Sequence, residues 1–412
     1  MADVYAPLAR DTIRLLNLGP GSKDDPLCCD LIDATLGSGR PYETMSYLWA
    51  SGSEREEMRV GAKGSLSITT SAANALRRLR FPDQVRTLWM DQVCINQSDL
   101  SERSQQVGIM HRVYSHAVRV LMYLGSDPDQ MAPSAKGFIA ELQSRWDRPA
   151  RYRYSDEQTM REERLPAPDS IKWKAYKTLM GLQYFKRVWM LQEVMLSKAA
   201  VAFWGEAEML WIHIARVAAF GQASPDLSPE FAVEEDCTMV HQMLASEDEE
   251  ARRLKWRIGL LSYRQAADPR DKIFAVMNLV SDQERSGFQA DYTMATVDVY
   301  KKAAEHIIFN LDRSLDVLQN AGITSHHPIF KGERWPSWVP RWGDTDYSFI
   351  CGIEPGHFLP CNGMPLDASL DLDNPDNLCV KGVEVGRIQH LEPRFPAKEL
   401  EVFDGLWELT RL

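Results

Sequence analysis

The spacing of apolar and polar residues changes period several times along the first half of the chain. Thr44-Met-Ser-Tyr-Leu-Trp49 is a short β-prone run, whereas Ala72, Leu76 and Leu79 recur at helical spacing behind a hydroxyl cap near Thr70. Val85 to Val93 is mostly apolar and reads as a buried strand, with Asp91 at its carboxyl end before the polar stretch Asn96-Gln-Ser-Asp99. Asp99 and Glu102 have capping-box spacing, and Val107, Met110, Tyr114 and Ala117 then mark one face of a second helix. Val118 to Leu124 is apolar again and closes at Gly125 as a third strand. This alternation predicts an α/β fold with a doubly wound parallel sheet, whose ligands bind beyond the carboxyl ends of the strands.

The flanks carry different patterns. Residues 1–39 read as irregular, and residues 126–170, charged and Pro-containing, read as an insertion within a domain spanning 40–222. Helical stretches at Ile171 to Leu182 and Tyr184 to Leu196 precede a strand at Ala200 to Trp204. Beyond an acidic, loop-like run from Ser224 to Glu250, periodicity near 254–261, 271–280 and 297–311 predicts a mainly helical region over 223–345. Leu378 to Ile388 alternates apolar and polar residues, which predicts a small β-containing segment within 346–412.

Composition narrows the function classes. Of the 412 residues, 58 are Asp or Glu and 47 Lys or Arg, and the net charge of -11 disfavours a nucleic-acid partner. The seven cysteines include no CxxC pair, so free thiols in a reducing compartment are expected, with no metal site. No apolar run approaches the roughly 20 residues of a membrane span, and the start lacks a signal-peptide stretch, which predicts a cytoplasmic protein. The tryptophans of Trp335-Pro-Ser-Trp338-Val-Pro-Arg-Trp342 are expected in a core. No GxGxxG, Walker lysine, GxSxG or HExxH motif is present.

Several segments together resemble the fungal heterokaryon-incompatibility (HET) domain family. They are Tyr42-Glu-Thr-Met-Ser-Tyr47-Leu-Trp49, Leu88-Trp-Met-Asp91-Gln-Val-Cys-Ile-Asn96-Gln97-Ser-Asp99 and Glu102-Arg-Ser-Gln-Gln-Val107. Tyr184-Phe-Lys-Arg-Val-Trp189-Met-Leu-Gln192-Glu193, Asp268-Pro-Arg-Asp271 and the Trp/Pro segment extend the likeness. The chain departs from the family pattern at Ala50 and Asn278, where glycine is usual. The family is similar to Toll/interleukin-receptor (TIR) domains, which implies a flavodoxin-like sheet. Some TIR domains cleave NAD, with a Trp four residues before a Glu on a helix as their hallmark, and Trp189 and Glu193 have that spacing.

The resemblance therefore implies fungal self/non-self recognition and cell death, with NAD or NADP as a substrate rather than a cofactor. Residues four apart share a helical face, so a buried Trp189 would hold Glu193 against apolar surroundings. A carboxylate there can stabilise an oxocarbenium-like state, or it can simply pair with Arg187 or Lys198. Asp91 is either a second carboxylate of the site or a cap for its own loop. Ser46, Tyr47, Trp49, Asn96, Gln97 and Arg103 are candidate substrate-binding residues, although Tyr47 and Trp49 also suit a core and Arg103 a surface ion pair. Trp189, Arg270 and Asp271 are expected to be structural. Cys94 with His111 is a poor nucleophile pair, being a helix apart. Self-association is expected, with Arg148 to Tyr154 as the contact loop. A non-catalytic assembly module, or a HET-like fold turned to a small-molecule reaction in specialised metabolism, are the other readings.

Overall fold

A computed structural model describes residues 4–49, 54–62, 64–146, 166–167, 169–223, 264–311, 315, 317–318, 321, 335–342 and 367–381. The chain divides into two compact units, 1–296 and 297–412.

The first unit is mixed α/β, built on a nine-stranded sheet of order β5-β4-β2-β1-β6-β3-β7-β8-β9. Its strands are β1 (Thr12–Leu18), β2 (Cys28–Thr35), β3 (Glu43–Tyr47), β4 (Arg55–Val60), β5 (Gly64–Thr69), β6 (Arg86–Trp89), β7 (Val120–Gly125), β8 (Ala200–Trp204) and β9 (Ala207–Leu210). The four neighbours β6, β3, β7 and β8 are mutually parallel. In chain order they lie 2-1-3-4, so the sheet reverses its winding at β3. The expected wholly parallel sheet is thus a mixed one, with this parallel block at its centre and a further parallel pairing of β2 with β4. β9 adds antiparallel to β8, β1 antiparallel to both β6 and β2, and β4 antiparallel to β5.

Residues 1–39, expected to be irregular, contribute β1 and β2. Their pattern misled because β1 is buried on both faces and carries a charge inside. Leu15 and Leu16 are adjacent and both fully buried, and Arg14 is 2% exposed. Its guanidinium donates to Glu102 Oε2 at 2.9 Å and to the Cys94 carbonyl at 3.2 Å. Glu102 in turn accepts the Asn96 N–H at 2.7 Å. The capping box anticipated for this helix is therefore half made: Asp99 caps the N–H groups of Ser101 and Glu102, while Glu102 turns to Arg14.

α1 (Thr70–Leu79) buries Ala72, Ala73, Ala75, Leu76 and Leu79 and is capped by Thr69, one residue before the expected Thr70. The β4–β5 hairpin before it had no clear apolar alternation, since each strand exposes half of its residues. The run from 85 to 93 is strand only to Trp89, and Asp91 opens a one-turn helix, α2 (Asp91–Cys94), instead of ending a strand. α3 (Leu100–His116) follows.

Within 126–170, α4 (Ala132–Trp146) is an ordinary packed helix that buries Phe138, Ile139 and Leu142; residues 147–165 lie outside the described residues. α5 (Ile171–Met180) is next. The single helix expected over 184–196 is two pieces, a 3₁₀ turn Gln183–Lys186 and α6 (Trp189–Met195), joined by extended backbone at Arg187. α7 (Trp211–Ala223), α8 (Asp271–Met277) and α9 (Asp282–Arg285) complete the unit. The stretches 224–250 and 254–261 lie outside the described residues.

In the second unit, α10 (Thr296–Glu305) runs into a π-helical turn at His306–Leu311. Tyr300 packs between Trp335 and Trp342, with ring centroids 5.5 Å from each. β10 (Ala368–Leu370) pairs antiparallel with β11 (Leu378–Val380) inside the expected β-containing segment, and residues 382–388 of the alternating run lie outside the described residues. Among the described residues, no helix is long and apolar enough to cross a membrane.

Candidate functional site

The site forms where the sheet reverses, at the carboxyl end of β3. Ser46 and Tyr47 are its last two residues and point to opposite faces, as strand alternation requires. The Ser46 hydroxyl donates to Glu193 and also meets the Tyr184 hydroxyl, and all three side chains are buried. Arg187 reaches Glu193 Oε1 at 3.7 Å and donates to the Tyr47 carbonyl at 2.6 Å. Arg187 can do so because the chain is extended there. In one continuous helix, positions 187 and 193 would project from well-separated faces. The extended link is itself held by a short parallel bridge to Gln265, which accepts the Val188 N–H and donates to the Lys186 carbonyl. Lys198, the other partner considered for Glu193, instead donates to the His116 carbonyl at 3.4 Å.

Asp91 stands across from this group. Its Oδ1 accepts the Trp49 indole N–H at 3.2 Å and the Gln92 N–H at 2.8 Å. Burial, with the Glu193 charge added, pushes the Asp91 carboxyl up to about 6, against the opposing pull of Arg187. Burial also raises Glu193, opposed by Arg187 and by the hydroxyls of Ser46 and Tyr114. The result is two carboxylates with raised proton affinity facing one guanidinium, in a setting where charge interactions are weakly screened.

Tyr47 is buried and its ring stacks on Trp49, centroids 6.5 Å apart, while Trp49 is 38% exposed. Core packing, expected as one fate for both, holds for Tyr47 alone. Trp49 lies past the strand end, where its indole N–H reaches Asp91.

Other expected residues stand apart. Gln97 donates to the Asp91 carbonyl at 2.9 Å, so it shapes the loop. The Asn96 side chain accepts from Ser98 within an Asx turn. Arg103 lies over the Tyr292 ring at 3.8 Å and pairs with Asp268, away from Glu193. Trp189 is half-buried, and its indole N–H bonds Asp271, whose carboxyl burial pushes up to about 6. Trp189 and Glu193 are therefore held by different partners. Arg270 chelates Asp268 and donates to the carbonyls of Tyr292 and Met294, and Tyr292 donates to Asp271 at 2.6 Å. These contacts tie the 268–294 segment to itself, and the Trp189–Asp271 bond joins it to α6. Cys94 is fully buried, its thiol pushed up to about 12 by that burial, and it accepts the Met90 N–H. Sequence reasoning gave no site role to Tyr184 or Tyr114; the 3₁₀ turn that aims Tyr184 leaves no periodic signal.

Residues 42–193 match the family described as Heterokaryon incompatibility protein (HET). Over that segment the chain is similar to the HET family. The chain is also similar to "Heterokaryon incompatibility protein 6, OR allele" of Neurospora crassa, 25% identical over 448 aligned positions. That alignment covers 92% of this chain and 64% of the relative, so the chain spans less than two thirds of the length of the curated protein it matches. No solved structure matches. The Ser46–Asp91–Arg187–Glu193 group lies wholly inside the matched range, which ends at Glu193, whereas Arg270 and Asp271 lie beyond it. The loop Arg148 to Tyr154 is within that range but outside the described residues.

Proposed function

We propose that this chain acts in fungal heterokaryon incompatibility and that its HET domain hydrolyses NAD or NADP at the nicotinamide–ribose bond. The HET match and the Neurospora crassa relative support the first part. The second rests on one observation: Glu193, 2% exposed, is held by Ser46 and Arg187 at the carboxyl end of the strand where the sheet reverses. The 2-1-3-4 order of the parallel strands supports a flavodoxin-like, TIR-like reading of the domain, and such folds place ligands at that point.

The chemistry follows from charge. Oxidised nicotinamide leaves as a neutral ring and takes the bond electrons, so no general acid is needed. Glu193, ionised, stabilises the cationic ribose carbon. Water adds to that carbon and passes its proton to Asp91, whose proton affinity burial raises. The products are nicotinamide and the ADP-ribose alcohol. Self-association, through a neighbouring copy that completes the site, belongs to this reading.

A second reading, a non-catalytic assembly module, is favoured by the same burial, since Ser46 and Arg187 already satisfy Glu193. Incubation of the purified chain with NAD and with NADP, followed by chromatography for nicotinamide, separates the two. Release that falls at least 100-fold in Glu193→Gln supports hydrolysis. No release, or equal release by the variant, leaves Glu193 as a structural ion-pair partner.

A further inference from the structure

A cavity of about 330 Å³ opens on the other side of α6, between the middle of α3 and the α8–α9 segment. It contains none of Ser46, Asp91 or Glu193. Phe274, Met277 and Phe288 supply apolar walls, and Asn278, Gly108 and Arg285 complete the part used here.

The two polar ends of the cavity differ. Arg285 pairs with Asp282 across one turn of α9, so its charge is matched. Asn278 is 93% buried, at 7% exposure, and its amide orientation is fixed by its neighbours. Its Nδ2 donates to the Val107 carbonyl at 3.1 Å and to Gln192 Oε1 at 3.4 Å. A main-chain carbonyl only accepts, so the nitrogen must face Val107, and Oδ1 faces away as an acceptor without a partner. An acceptor that lines a cavity in this way can take a hydrogen bond from an N–H of a bound molecule.

Gly108 adds an independent observation. It sits in the middle of α3, where glycine weakens a helix relative to alanine. A Cβ built there meets nothing within 4 Å, so no packing within the protein requires the glycine. What its absence of a side chain preserves is room in the cavity.

The geometry points to a second ligand site, for a neutral aromatic molecule of one or two rings that presents an N–H donor to Asn278. Phe274, Met277 and Phe288 offer a flat ring apolar contact within a lining that is otherwise polar, Arg285 is already paired with Asp282, and the volume is at the low end of small-molecule sites, about 300–1,000 Å³. This inference goes beyond the proposed hydrolysis and stands without it. Gln192, the partner of Asn278, is the residue before Glu193, so occupancy of the cavity adjoins the first site through one amide contact.

Benzamide tests the assignment, with methyl benzoate as the same ring lacking the donor and benzoate as the charged form. Calorimetric titration of the full chain is expected to show saturable benzamide binding, at least tenfold tighter than either comparator. Gly108→Leu, whose side chain fills the cavity, is expected to weaken benzamide at least tenfold with the melting temperature kept within a few degrees. Should that variant fail to fold, Gly108→Ala carries the test, with an unchanged or raised melting temperature and weaker binding. Glu193→Gln is expected to bind benzamide as the unaltered chain does. Absence of saturable binding, equal affinity for methyl benzoate, or insensitivity to both Gly108 substitutions overturns the proposal. Loss of binding in Glu193→Gln but not in Gly108→Leu assigns the probe to the other site and also overturns it.

Discussion

At the scale of single residues, the charge arrangement around Glu193 sets the expectations. Arg187 is 13% exposed on its side chain and Glu193 2%, so the pair is buried. Arg187→Leu would leave both Glu193 and Asp91 without their counter-charge. It is expected to cost ~3–5 kcal/mol at pH 7 in urea melts, with part recovered in Arg187→Leu/Glu193→Leu. Asp91 gives a pH signature. Its folded value of about 6 lies above the ordinary 3.8, so its stabilising contribution is complete below about pH 4 and is lost as pH rises through 6. Melting temperatures of Asp91→Asn should therefore fall less between pH 4 and 7 than those of the unaltered chain. Asp271, also raised to about 6, preserves part of the slope in both proteins. Glu193 and Asp91 were legible as candidates because their motifs and spacing are local. Arg187 was legible only as one possible partner, since its approach to Glu193 depends on a break that helical periodicity conceals.

The elements show the same division between local and distant causes. α1 was readable in full, its small apolar residues repeating every three to four positions behind a hydroxyl cap. β1 was not, because its buried charge is explained only by Glu102, 88 positions later. Arg14→Met is expected to destabilise by ~3–5 kcal/mol, leaving Glu102 buried with a single backbone donor; a urea melt reads this. A loss under about 1 kcal/mol, the level of an exposed pair, would show that the pair contributes no more than a surface one. The same substitution removes the Arg14 bond to the Ala6 carbonyl and its contact with the Tyr5 ring, while the Tyr5 hydroxyl keeps its bond to the Val93 carbonyl.

For the molecule as a whole, the chain divides into compact units 1–296 and 297–412, while the boundary at 222/223 stays an expectation of the sequence. The sequence between carries helical periodicity of its own. Gln265, Asp271 and Asn278 nevertheless bond to the 186–192 stretch, which no pattern along the chain announces. A fragment of residues 1–296 is expected to melt cooperatively by circular dichroism. One of residues 1–222, stripped of those partners, is expected to melt at least 10 °C lower or to precipitate. If the hydrolysis reading holds, specific activity should rise with chain concentration, and a flat profile from dilute to concentrated protein removes the need for a neighbouring copy.

The placement of β1 has a consequence for how the chain reaches this state. Leu16 pairs with Leu88, so the strand made early during synthesis finds its central neighbour only roughly seventy residues later. Until β6 emerges, β1 and β2 form a hairpin with one apolar edge open, a surface prone to pairing with another nascent copy. Refolding should accordingly be slow relative to a helical protein of this size and should yield less native material as concentration rises. A stopped-flow series at increasing protein concentration would show that cost directly.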